Sequence, residues 1–115
     1  MNIFKKLFGR GGSDDWPFGD PPNQAVITTR QVVEQGYPIL LVTHDEDDGG
    51  WQILCGTTND EEDAMVVSLK SLVDRDPSLK ELAALPLGCL AWRNSPDQPW
   101  QRERDDLPGL LCIET

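Results

Sequence analysis

The chain is poor in the residues that usually do chemistry. Its 115 residues hold one histidine, His44, and three cysteines, Cys55, Cys89 and Cys112, with no C-x-x-C pair. One His cannot complete an ordinary zinc site with thiols spread so far apart, so neither a metal nor another cofactor is expected. No G-x-S-x-G or comparable nucleophile signature occurs, and Ser68 and Ser78 stand at helix starts rather than beside a base. The many acids give accidental carboxylate pairs, but none sits in apolar surroundings that would raise its pKa. Gly9, Gly11 and Gly12 do not follow a strand or open a helix, so they make no phosphate loop. The sequence is therefore read as non-enzymatic.

Long apolar runs are absent too. None exceeds four residues, and Ile39 to Val42 is typical, which is far too short to cross a membrane. MNIFKKLFG has no sustained hydrophobic region or small-residue cleavage site, which predicts no signal peptide, and Asn2 excludes a myristoylation signal. Positive charge is scarce: ten Lys and Arg face twenty Asp and Glu, for a net charge of -10. Lys5, Lys6 and Arg10 put three positive charges in the first ten residues, so the rest carries -13. Such a body repels phosphate backbones, excluding a nucleic-acid binder, and suits a partner with a basic surface. Cys55 and Cys89 lie in apolar strand-like runs and read as buried free thiols, which fits a reducing cytoplasm.

Length and composition predict one globular domain. Its expected class is α+β, a small antiparallel sheet with two or three short helices packed on one face, spanning 25–115. Residues 1–24 read as an amphipathic arm and a Gly/Pro-rich linker. In the arm Ile3, Phe4, Leu7 and Phe8 share one helical side and Lys5 and Lys6 the other, too little for stable membrane attachment. In the linker Trp16 and Phe18 flank Pro17 and can pin it to a groove or serve as a peptide motif.

The chain then punctuates itself. Residues 25–28 suit a first strand. Thr28 with Gln31 resembles a capping box, and Gly36 supplies a helix stop. Residues 39–44 and 51–56 alternate as a hairpin, with Trp51, Ile53 and Cys55 on one face and Gln52 and Leu54 on the other. Residues 64–67 suit a short strand. Ser68 and Asp76-Pro77 are helix starts, and Pro86 is a stop. Residues 90–93 and 100–103 can form a second hairpin, and 110–113 a last strand or a packed tail. Trp51 and Trp92 read as core, and Trp100 as partly exposed.

Two acidic runs stand out: Asp45, Glu46, Asp47 and Asp48 in the first hairpin loop, and Asp60, Glu61, Glu62 and Asp63 before the next strand. His44 beside the first run tempts a metal reading. Counted from Asp45, however, Gly49 falls at position 5 and Gly56 at position 12, where a calcium loop needs carboxylates. If the two runs meet in space they make one anionic patch that steers a basic partner. Apart, they are two solvated loops. These eight acids, with Trp100 as an aromatic anchor, are the candidate partner-binding residues.

One resemblance sharpens this reading. Gly50-Trp51 with Gly56, the loop acids, Asp76-Pro77, and Pro86-Leu87-Gly88 before Trp92-Arg93 together resemble a small bacterial family, domain of unknown function 2185, also known as immunity protein 33 of polymorphic toxin systems. The likeness spans about residues 25–103. It implies a compact α+β domain that binds and blocks a toxin delivered by a neighbouring cell and does no chemistry itself. An acidic body suits that role, because many toxin domains are basic nucleases. The alternative is a regulatory or adaptor domain with no toxin partner, touching membrane through residues 2–8.

Overall fold

The computed structural model describes residues 16–57 and 60–104. The arm, the first part of the linker and the 110–113 segment lie outside them. The described chain is α+β. Six strands, β1 (Ala25–Thr29), β2 (Leu41–His44), β3 (Trp51–Leu54), β4 (Ala64–Ser68), β5 (Cys89–Trp92) and β6 (Gln101–Arg104), form one sheet in the order β4-β1-β3-β2-β5-β6. Helices α1 (Arg30–Gln35) and α2 (Leu69–Arg75) and the 3₁₀ segments Glu61–Asp63 and Pro77–Leu82 complete it.

The sheet is mixed rather than wholly antiparallel, because β1 pairs parallel with β3, Ile27 opposite Gln52. Helix α1 reverses the chain after β1, and the β2–β3 hairpin brings β3 back beside β1 with the same polarity. The other four pairings are antiparallel.

Local chemistry explains the element ends. Gly36 adopts φ 74, and its N–H reaches Gln31 O, an αL stop that glycine takes without a Cβ clash. Ser68 caps α2 by accepting from Ser71 N–H, and Asp76 caps the next segment by accepting from Ser78 N–H, with Pro77 behind it. The capping box expected at Thr28 and Gln31 does not form. β1 runs one residue further, since Thr28 and Thr29 pair with Met65 and Ala64, and the cap position falls on Thr29 with no side-chain bond.

Strand alternation puts Val26, Val42, Trp51, Ile53, Cys89 and Ala91 in one buried cluster with Val32, Leu69, Leu72, Leu79, Leu82 and Leu85 from the helical segments. Burying each such Leu stabilises by about 1.5–3 kcal/mol. The core also reaches upstream of Ala25. Phe18 is buried edge-on against Trp51 at 5.6 Å, Trp16 packs on Phe18, and Asp20 accepts from Trp51 Nε1 at 2.6 Å.

The cysteine reading needs correction. Cys55 is free and buried, but Cys89 is disulfide-bonded. Spacing along the chain carries no information on which thiols meet in space, and the argument for a reducing compartment loses Cys89. Among the described residues no helix is long and apolar enough to cross a membrane.

Candidate protein-binding surface

The two acidic runs do not form one patch. His44 pairs with Trp51 at the hairpin end of the sheet, whereas Thr29 pairs with Ala64 at the other end. β3 lies parallel to β1 between them, so about 13 Å of strand separates the two loops.

At the hairpin end the acids are unequal. Thr43 Oγ1 and Gln52 Nε2 donate to the two oxygens of Asp45 at 3.2 and 3.0 Å, and Asp48 Oδ1 accepts from Gly50 N–H at 2.8 Å. Asp45 and Asp48 thus build the turn, while Glu46, whose side chain lies beside Gly88, and Asp47 are exposed. His44 takes no part in this cluster. Its ring stacks on Trp51 at 3.9 Å, and its Nδ1–H donates to Leu85 O at 2.6 Å. At the far end Asp60 caps the 3₁₀ turn, accepting from Glu62 N–H, and Arg30 donates to Glu62 O at 2.7 Å and lies 3.8 Å from Asp63. Glu61 and Glu62 are exposed.

Between these ends lies the face of the sheet opposite the core. The registers align Val66, Ile27, Gln52, Thr43, Leu90 and Glu103 in one row, and Leu54, Leu41, Trp92 and Gln101 in the next. Val66 is 70% exposed, Ile27 41% and Trp92 36%, and Leu41, Leu54 and Leu90 are half-buried. A groove of about 340 Å³ opens on this side, lined by Ile27, Gln52, Leu54 and Ala64 together with Asp60 and Glu61. A second groove, of about 320 Å³, is lined by Tyr37, Pro38, Arg75, Asp76, Pro77 and Pro96.

Trp100 is not an exposed anchor. It is 6% exposed, and the Arg93 guanidinium lies 4.1 Å over its ring. The expectation that Trp92 is core is reversed in the same way, because Cys89 and Ala91 take the inward positions of β5 and leave Trp92 outside. Sequence reading also missed Arg93, which is itself buried. Its Nε and Nη2 both donate to Ile39 O, at 3.1 and 2.9 Å, and its Nη1 to Ser78 Oγ and Pro96 O. Nη2 also meets Asp76 Oδ2 at 2.5 Å. No spacing signal would have found it, since its acceptors come from three separate parts of the chain, Ile39, Asp76 with Ser78, and Pro96.

Burial pushes the Cys55 thiol up, but hydrogen bonds with Thr57 and Thr29 outweigh it and hold the thiol below its ordinary value. Among the described residues no three His, Cys, Asp or Glu side chains are grouped to hold a metal ion. What the fold and surface define is a small α+β domain with one helix-covered sheet face, one open apolar face and acidic ends. Compared with known proteins, the chain matches no family model, no curated protein and no solved structure.

Proposed function

We propose that this chain is a non-enzymatic binding domain that engages a protein with a basic surface. The observation that carries the reading is the pairing of an apolar sheet face that no described residue covers with exposed acids at both of its ends. An apolar centre with a charged rim is the usual anatomy of a protein interface, and the net charge of -10 selects a basic partner by steering. The family resemblance adds the finer proposal that the partner is a toxin domain, which this protein blocks by occupying it.

Affinity purification of the tagged chain from its native cells, followed by co-expression with whatever protein comes along, tests this. A stoichiometric basic partner, toxic alone and harmless with this chain, supports the immunity reading. A recurrent harmless partner removes the toxin and leaves an adaptor, and no partner in any growth condition sinks both. The immunity role implies the cytoplasm, where a disulfide at Cys89 is rarely kept. Rapid alkylation and mass spectrometry read that compartment: a blocked Cys89 in living cells contradicts it.

A further inference from the structure

We propose that the open sheet face is the docking platform itself, and that its occupant is a basic amphipathic segment of the partner with a Lys or Arg stem in the Ile27–Leu54 groove. This rests on the binding-domain reading above and names the surface and the chemistry it selects. The face presents Val66, Ile27, Leu54, Leu41, Leu90 and Trp92, an apolar expanse of the kind that monomers seldom leave bare.

Charge selects the occupant. No Lys or Arg lies on the outward positions of the six strands. Along β6 the outward residues are Gln101 and Glu103, while Arg102 pairs with Ala91 and Arg104 with Cys89, on the core side. Arg102 donates there to Glu81 O. Glu46 and Asp47 stand exposed at one end of the face and Glu61 and Glu62 at the other. A second copy would bring the same surplus of negative charge, so self-docking through this face is opposed by repulsion. A long cationic side chain fits the groove by its two halves. Its methylenes lie against Ile27, Leu54 and Ala64, and its head reaches Glu61.

The test uses the full chain and two synthetic peptides of equal Lys/Leu composition without Trp. One alternates Lys and Leu as a strand would, and the other is permuted so that neither a strand nor a helix of it has an apolar face. Binding is followed by two-dimensional NMR at two salt concentrations. The alternating peptide is expected to shift the amides around residues 27, 54, 66 and 92 and to bind about tenfold more tightly than the permuted one. The double variant Ile27→Thr/Val66→Thr, which keeps β-branching, charge and exposure, is expected to weaken it about tenfold at unchanged melting temperature. Glu61→Gln/Glu62→Gln is expected to flatten the salt dependence.

Equal binding of both peptides, or shifts confined to the helical side, overturns the proposal. So does a chain lacking residues 1–10 that binds the peptide more tightly, with the amides of this face already shifted before peptide is added, since the chain's own Lys5, Lys6 and Arg10 would then be the occupant. Peptide-dependent loss of a dimer in sedimentation overturns it in favour of a second copy. If a native partner is found and its binding survives the Ile27/Val66 variant but not charge reversal of the acidic ends, the platform fails while the binding-domain reading stands.

Discussion

Arg93→Met is the most informative single perturbation of this fold. The guanidinium is spent on five hydrogen bonds, two of them to the single carbonyl of Ile39. Removing it leaves that carbonyl buried without its side-chain donors, a cost of about 1–3 kcal/mol. Losing the contact over Trp100 adds about 0.5–2 kcal/mol. Asp76 is about a fifth exposed and regains water, so its share is smaller than in a fully buried pair. The first two costs alone sum to about 1.5–5 kcal/mol, a large part of the ~5–15 kcal/mol that holds a small domain together. Arg93→Lys keeps the charge but not the planar fork, and is expected to cost about 1–3 kcal/mol. Urea unfolding followed by tryptophan fluorescence reads both, and a cycle with Asp76→Asn isolates the pair. An Arg93→Lys variant within ~0.5 kcal/mol of the parent would refute the claim that fork geometry matters. Strict additivity of Arg93→Met and Asp76→Asn would refute their coupling.

Three further outcomes are expected. The Thr28 hydroxyl is buried with no partner among the described residues, so Thr28→Val should raise stability by about 1 kcal/mol in the same urea assay. Asp20→Ala removes the acceptor for Trp51 Nε1 and should loosen residues 16–20, seen as faster amide exchange there and a loss of about 1 kcal/mol. Ser95 donates to Asp97 and holds its carboxyl below the ordinary value. A depressed acid contributes stability above its unfolded pKa and loses it as pH falls through the folded one, so Ser95→Ala should lower the melting temperature at pH 7 but not in strong acid.

How much of this was legible in the sequence depended on range. The hairpin of β2 and β3, the stop at Gly36, and the caps at Ser68 and Asp76 are local signals, and each lies where its residues indicated, whereas the helical segment expected to run to Pro86 ends at Leu82. The parallel pairing of Ile27 with Gln52 is non-local and left no mark in composition. The two misread tryptophans have different causes. In Cys-Leu-Ala-Trp both alternating faces are apolar, and the larger pair, Leu90 and Trp92, is the outward one, so hydrophobicity pointed to the wrong side. A charged residue is also a poor candidate for burial by composition alone, which hid Arg93 and with it the burial of Trp100. The acidic runs were plain to see, but only strand polarity could tell that they stand at opposite ends of one face.

The place of β1 between β3 and β4 has a consequence for synthesis of the chain. Both neighbours of β1 are made after it, and its last partner, Ser68, follows Thr29 by about 40 residues. At ribosomal rates of roughly 5–20 residues per second, β1 waits about 2–8 s before its second edge can pair. During that interval a segment reading Ala-Val-Ile-Thr-Thr is a sticky strand in search of a partner. The vulnerability of this strand to misassembly is therefore set by the order in which its neighbours leave the ribosome, and it ends when β4 covers its outer edge.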